Sequence, residues 1–438
     1  MRRREFLERA GVAIGAAAAA ASTSSAESPR QPSATAEPTI APGDWNALRN
    51  LFPLTRDYIH LATFLLASHP EPVAREIEAH RRGLDANPAD YLHERNRTID
   101  MKVAQAAAAY MGGKWNEIAL TDSTTMGLAM VYSGFQAGPG DELLHTTHDH
   151  YSTDMSLAHK AARCGATVKR VSLYDDPAQT SVAQCQQRLK EGITERTRLV
   201  AVTWVHSSTG VKLPVKALAE VVREENKQRT EADQIMFCVD GVHAFGIENE
   251  DVTELGCDAF VAGTHKWMFG PRGTGVIWAR DRFWQRSEPV IPGFSASYAV
   301  WLGQMKVEQV PPGMHFTPGG FHSFEHRWAL PKAFELHQQL GKANVQQRIH
   351  ALNAQTKEGL AGMSHVRLYT PDRPELSSGL VCFDVDGMKP DEVVKRLHDK
   401  GIIMSSTPYH TSYARFAPSL LNNEAEIDRA LAEIRALA

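Results

Sequence analysis

Between residues 115 and 280 the chain repeats one pattern. A short apolar or β-branched run is followed by a polar turn, then by a stretch whose apolar positions recur every three or four residues. The short runs predict strands at Glu117–Leu120, Glu142–His145, Thr167–Leu173, Leu199–Trp204, Ile235–Val239, Ala259–Ala262 and Gly275–Ala279. The helical periodicity between them predicts helices such as Met126–Phe135, Met155–Cys164 and Val215–Glu225. Strands that alternate with helices build parallel βαβ units, so an α/β fold is expected, with a mostly parallel sheet between helices. Its ligand loops belong at the carboxyl ends of the strands. Upstream, Pro72–Gly83 and Thr98–Met111 read as helices. Downstream, a helical pattern runs from Arg327 to about Met363, followed by a strand at Leu380–Val385 and helices at Pro390–Lys400 and Glu424–Ala438. The expected plan is a large domain over 44–330, then a linking helix and a smaller C-terminal α/β domain over 331–438.

The N-terminus breaks this pattern. Arg2, Arg3 and Arg4 precede Glu5-Phe6-Leu7, a twin-arginine arrangement, and an Ala-rich apolar stretch runs from Gly11 to Ala21. That stretch is too short to span a bilayer and fits the apolar part of a signal peptide over 1–26. Residues 27–43, rich in Ser, Thr, Pro and Ala, read as a disordered linker. The expectation is an exported, periplasmic protein with the twin-arginine translocase as a transient partner. That route carries folded proteins, commonly already loaded with a cofactor.

Composition narrows the classes further. The chain has 438 residues, of which 43% are hydrophobic and 22% charged, with a net charge of −4, as an ordinary globular protein has. No basic field is present for nucleic acid, and no apolar run after residue 40 is long enough to cross a membrane. The five cysteines, Cys164, Cys185, Cys238, Cys257 and Cys382, are widely spaced without a CxxC pair, which supports neither a disulfide framework nor a zinc site.

Three segments carry chemistry. In Ala259–Trp267 an apolar strand ends in Gly263-Thr264-His265-Lys266, with Gly270-Pro271-Arg272-Gly273 close behind. A lysine in a strand-end pocket that lowers its pKa becomes a Schiff-base nucleophile, whereas in isolation such a lysine reads as a surface residue. In Met236–His243, Asp240 ends a second apolar strand, where a carboxylate can face a cofactor ring or cap a helix. In Leu120–Gly127, the hydroxyl-rich Thr121-Asp122-Ser123-Thr124-Thr125 lies between a strand and a helix. Free N–H groups and hydroxyls there suit a phosphate, or simply cap the helix.

In this order, Asp240, Lys266 and the phosphate turn resemble the class V aminotransferase family of fold-type I pyridoxal-phosphate (PLP) enzymes, over roughly residues 55–435. The resemblance reaches the isopenicillin N epimerase-like branch and periplasmic enzymes that tailor siderophores. It implies Lys266 as the Schiff-base lysine, Asp240 as partner of the pyridine nitrogen and His243 beside the phenolic oxygen. It implies Thr124, Thr125 and His265 as phosphate ligands, and Tyr151, or His150 in a one-residue shift, as the ring-stacking residue. Ser207 stands where the family often has an Asn. Arg415, in Tyr413-Ala414-Arg415-Phe416, matches the arginine that grips a substrate carboxylate. The family's homodimer is implied as well, with Thr317 as the candidate for a phosphate contact from the neighbouring subunit.

Within this family, cysteine desulfuration needs a mobile cysteine before the substrate arginine, and the stretch from Gly401 to Arg415 has none. The first reading is therefore an aminotransferase-like enzyme acting on the amino group of an amino acid or peptide. Epimerisation follows, then C–S lyase chemistry. A PLP-fold protein that binds a ligand without turnover is the remaining class, opposed by the intact Lys266 and Asp240.

Overall fold

A computed structural model of the chain describes residues 40–95 and 98–438. The expected signal peptide and residues 27–39 of the expected linker lie outside that range. Ile40, assigned to the linker by composition, is buried in the core, and Asp44 caps a helix over Trp45–Asn50. Composition does not show that this one apolar side chain has a core to enter.

Among the described residues the strands are, in chain order, β1 (Ile59–His60), β2 (Ile118–Thr121), β3 (Glu142–Thr146), β4 (Thr167–Val171), β5 (Thr197–Thr203), β6 (Met236–Asp240), β7 (Ala259–Gly263), β8 (Gly275–Ala279), β9 (Val366–Leu368), β10 (Val381–Val385), β11 (Ile402–Ile403), β12 (Ser405–Ser406) and β13 (Ala414–Phe416). Seven form one sheet in the order β2-β8-β7-β6-β5-β3-β4. From β4 across to β7 the strands pair in parallel, with α-helices joining β3, β4, β5 and β6 in turn as the alternation predicts. β8 is antiparallel to both β7 and β2. The reason is local: a parallel partner needs a crossover of a dozen or more residues, and only the loop 264–274 separates β7 from β8. That loop carries Lys266.

The central strands are buried on both faces, and successive residues feed opposite cores. Val200, Val202, Phe237, Val239 and Phe260 enter one cluster; Leu199, Ala201, Met236, Cys238 and Val261 enter the other. Near one edge of the sheet, β4 lies on one side of β3 and β5 on the other, so the winding reverses between β3 and β5. Strand ends diverge at such a point, leaving a crevice.

A second sheet, β12-β13-β10-β9, is antiparallel throughout. The helical pattern expected as one element from Arg327 to Met363 is two helices, Phe324–Leu340 and Lys342–Ala361. Gly341 separates them with φ of +80°, a left-handed conformation that glycine adopts without a Cβ clash. β1 pairs in parallel with β11, and Leu61 O then accepts from Ala417 N, so the N-terminal segment is stitched to the C-terminal one. Its continuation reaches the loop after β7, where Ala67 N donates to His265 O. Among the described residues, no helix is long and apolar enough to cross a membrane.

Candidate active site

The carboxyl ends of β3, β5, β6 and β7 open on the same crevice, and the chemistry gathers there. Asp240 is the last residue of β6 and is buried; its Oδ1 accepts from Val242 N at 3.1 Å. Burial raises its carboxyl pKa against the opposing pull of that N–H and of Lys266. Lys266 lies three residues past β7, and burial lowers its amine, with Asp240 opposing the shift and Arg415 adding to it. Both shifts favour uncharged forms, and an uncharged amine is the nucleophile that Schiff-base chemistry requires.

His243, one turn beyond Asp240, stands 3.3 Å from Lys266 Nζ through its Nε2. Its Nδ1 accepts from the Trp267 indole N–H at 3.4 Å. Burial holds the ring neutral, with the Lys266 and Arg415 charges acting in the same direction. Taken together, the indole bond and the neutral ring assign the remaining proton to Nε2, facing the lysine.

Thr124 begins the helix Thr124–Gly134, which Ser123 caps by accepting from Met126 N. The N–H groups of Thr124 and Thr125 are thus at the open positive end of the helix. Thr124 Oγ1 accepts from Gly263 N at 2.8 Å, tying this turn to the end of β7. A Cβ on Gly263 would approach Thr124 Oγ1 to 2.9 Å and the His265 ring to 3.0 Å, so only glycine allows the turn so near. His265 Nδ1 is buried there without a hydrogen-bond partner, and Thr125 is exposed. Arg327, itself buried, anchors the turn from behind through Asp122 at 3.3 Å.

Arg415 comes from β13 and is buried, with its guanidinium 4.3 Å from the Phe64 ring centre. It donates to Ser405 Oγ at 3.1 Å, Ser207 O at 2.5 Å and Ser406 O at 3.5 Å. Its ionic partners are otherwise missing: among the described residues no carboxylate lies within ion-pair reach of it. Burial lowers its pKa. A buried guanidinium without a counter-ion is costly unless an anionic ligand arrives.

The sequence left His150 and Tyr151 open as the stacking residue. His150 is the N-cap of the helix Tyr151–Cys164, its pKa lowered to about 4 by burial and by the charges of Lys266 and Arg415. Tyr151 is the first helical residue and is 63% exposed. The geometry brings His150, and not the Tyr151 ring, toward the lysine and the arginine. Starting this helix at Tyr151 rather than Met155 is what separates the two side chains. Thr317, by contrast, donates its hydroxyl proton to Gly313 O at 2.8 Å and accepts from Leu120 N at 3.0 Å. Its one hydroxyl proton is thus engaged inside its own chain.

Sequence reasoning passed over three residues. Asp149 is fully buried and accepts from Thr146 N at 2.6 Å and Thr203 N at 2.7 Å, so it clamps the ends of β3 and β5 and holds the loop bearing His150. Phe64 packs between Arg415 and His243, 5.6 Å from the latter ring. Tyr409 meets Ser207, its hydroxyl 2.6 Å from Ser207 Oγ. Asp149 sits beside a strand end, a signal that could have found it; Phe64 and Tyr409 arrive from distant segments.

The sequence model of one family, aminotransferase class-V, matches residues 66–423. The chain belongs to that family. Among the relatives of this class-V chain, an isopenicillin N epimerase of Streptomyces clavuligerus is 25% identical over 407 residues, covering 89% of this chain and 97% of the relative. A probable cysteine desulfurase of Pyrococcus abyssi is 24% identical over 364 residues, 82% of this chain and 86% of its own length. Solved structures share the fold: a cystine C–S lyase bound to its product cysteine persulfide has a TM-score of 0.77 at 22% identity, covering 88% of this chain and 99% of that one. The apo cysteine desulfurase of Thermococcus onnurineus has a TM-score of 0.76 at 22% identity, covering 90% and 97%. This is a PLP-dependent family of fold type I, and the class-V chain has residues that fit the cofactor. A lysine whose amine burial shifts toward neutrality, a buried aspartate, a capped helix start and an orphaned imidazole nitrogen at a glycine turn are chemically suited to its aldehyde, ring and phosphate.

Proposed function

We propose that this protein is an exported PLP-dependent enzyme that transfers the amino group of an amino acid or a peptide residue. The observation that carries this reading is the buried Arg415 guanidinium without a carboxylate partner, in the same crevice as Lys266, whose amine burial shifts toward its neutral form, and the buried Asp240. A carboxylate bound at Arg415 and an amine directed at Lys266 together describe an α-amino acid. Lys266 would hold the cofactor, Asp240 its pyridine nitrogen, His243 its phenolic oxygen, and Thr124, Thr125 and His265 its phosphate, with His150 over the ring. Bound PLP supplies an electron sink for charge developed at the substrate Cα. Lys266 Nζ would be the base that takes the substrate Cα proton and the acid that returns it. The neutral His243 stands 3.3 Å from this amine and adds no positive charge beside it.

Transamination needs one base on one face, and Lys266 meets that need. Epimerisation is the second reading, favoured by the length of the match to the epimerase relative. Desulfuration is disfavoured because Gly401–Arg415 holds no cysteine and Cys382 is buried within β10. The deciding experiment incubates holoenzyme with candidate amino acids and peptides in deuterated water, with and without a 2-oxo acid. Transfer should move absorbance from ~420 to ~330 nm with the donor alone and require the acceptor for sustained turnover. Cα exchange with inversion, no acceptor requirement and no ~330 nm species would replace transfer with epimerisation.

Export rests on Arg3-Arg4 and the apolar stretch behind them. Changing both arginines to lysine should leave folded protein in the cytoplasm, and unaltered export in cells lacking the twin-arginine translocase would refute that route. The partner we propose for the mature protein is a second copy of the chain. Phe294, Tyr298, Trp301 and Phe321 expose a cluster of aromatic surface, the last two by 76% and 85%, of a kind monomers rarely present.

A further inference from the structure

The hairpin between β12 and β13 places one side chain in the crevice that the reading above does not use. Tyr409 stands edge-on to His150, ring centres 6.4 Å apart, with its hydroxyl 2.6 Å from Ser207 Oγ. Ser207 is also the residue whose carbonyl receives Arg415. The phenol and the guanidinium are thus fixed on two sides of one buried residue.

The hairpin is braced. Thr407 N donates to Tyr413 O at 2.9 Å, Tyr413 N to Thr407 Oγ1 at 2.9 Å, and Ser412 Oγ to Thr407 O at 2.7 Å. Tyr413 packs against Tyr369 in a tilted pair with ring centres 4.0 Å apart. A side chain on such a support is preorganised, so little is lost in ordering it when a ligand binds.

The donor inventory then points to an anion. An arginine has five N–H donors, and Arg415 directs three of them at Ser405, Ser207 and Ser406. Two remain, without an acidic partner. The Tyr409 hydroxyl stays protonated, because burial raises it to about 12. It therefore remains a hydrogen-bond donor across the physiological range.

We propose that Tyr409 is a substrate-binding residue whose hydroxyl, held in place by Ser207, is the second donor to the carboxylate that Arg415 receives. The ligand class is an amino acid, or a peptide residue, with a free α-carboxylate beside its amine. This rests on the reading of Arg415 as the carboxylate site, and the test keeps the two apart.

The probes are glycine and glycinamide, equal in shape but with and without the carboxylate, titrated into holoenzyme and followed by the change in its visible absorbance. Wild type should prefer glycine. Tyr409→Phe should weaken glycine binding by ~10-fold and leave glycinamide unchanged, the expected effect of one hydrogen bond to a charged acceptor. Arg415→Lys should abolish most of the preference. If Arg415→Lys keeps it, the carboxylate reading fails and Tyr409 falls with it. If Arg415→Lys loses the preference while Tyr409→Phe keeps it, only the Tyr409 assignment is overturned. Equal weakening of both probes in Tyr409→Phe, or a changed ligand-free spectrum, would place the phenol at the cofactor instead and also overturn it. Should Tyr409→Phe not fold, Ser207→Ala removes the anchoring hydroxyl. A smaller loss confined to glycine supports the proposal, and no loss refutes it.

Discussion

Replacing Asp240 by Asn separates the charge of this side chain from its shape. Oδ1 accepts from Val242 N at 3.1 Å, a bond that an amide oxygen retains, so the turn after β6 and the fold should survive. Only the negative charge is removed. Burial pushes Lys266 toward the neutral amine, and the Asp240 charge opposes that shift. Without the anion the ammonium loses its stabiliser, so the amine should shed its proton at a lower pH. The measurable consequence is the rate at which PLP associates with apo-protein, followed at ~420 nm, because association requires the neutral amine. The midpoint of its rise with pH should move down in Asp240→Asn. Turnover should move the other way. A hydrogen bond between charged partners contributes about 1.5–3 kcal/mol, so loss of the carboxylate from the pyridine nitrogen should lower kcat by ~10–150-fold. An unmoved midpoint with near-normal kcat would refute both the role of Asp240 and its coupling to Lys266.

The large sheet was legible because its information is local. Apolar runs mark β5, β6 and β7, and the residue closing each run sits at the carboxyl end, which is why Asp240 and Lys266 could be singled out. Their electrostatics were equally accessible, since a charged group at the end of a buried strand is desolvated wherever that strand lies. The boundary at Tyr151 was not legible. Ser152, Thr153 and Asp154 fill the first helical turn with polar side chains that mask its periodicity, while His150 caps it. The hairpin β12–β13 escaped because strands of two and three residues leave no alternation to detect. Arg415 meets Ser207 across 208 residues and Tyr409 meets it across 202. No periodicity encodes such contacts; they follow from β1 pairing with β11 and from β13 lying between β12 and β10. Gly341 was visible in the sequence, but its positive φ and the resulting break in the long helix belong to the packed chain.

Lys266→Ala should lose the ~420 nm band and all turnover; a variant that still fixes PLP on borohydride reduction would show that another lysine carries the cofactor. His150→Ala should weaken PLP retention and alter the visible spectrum, whereas Tyr151→Ala should leave both unchanged; the reverse pattern would return the stacking role to Tyr151. The last prediction concerns stability and lies away from the crevice. Glu248 is buried, accepting from Lys212 Nζ and Gln346 at Oε2, both at 2.9 Å, and meeting Ser378 at 2.6 Å and His350 at 2.9 Å through Oε1. Burial alone would raise its carboxyl, but His350, Lys212 and Ser378 together hold it at about 2, below its ordinary 4.5. A carboxyl with a depressed native pKa contributes stability that is complete above its unfolded value and vanishes as pH falls through the native one. Here the difference corresponds to about 3 kcal/mol, present above pH 4.5 and lost toward pH 2. Glu248→Gln removes that pH-dependent part and leaves Lys212 buried without its ion pair, so the variant should be less stable at pH 7 by about 3 kcal/mol or more. Urea unfolding at stepwise pH values between 7 and 2 checks both consequences. The gap between wild type and variant should narrow as the pH falls below 4.5, because protonation removes from the wild type the charge that the variant already lacks. A constant gap across that range would show that Glu248 stabilises the fold by packing and not by its charge.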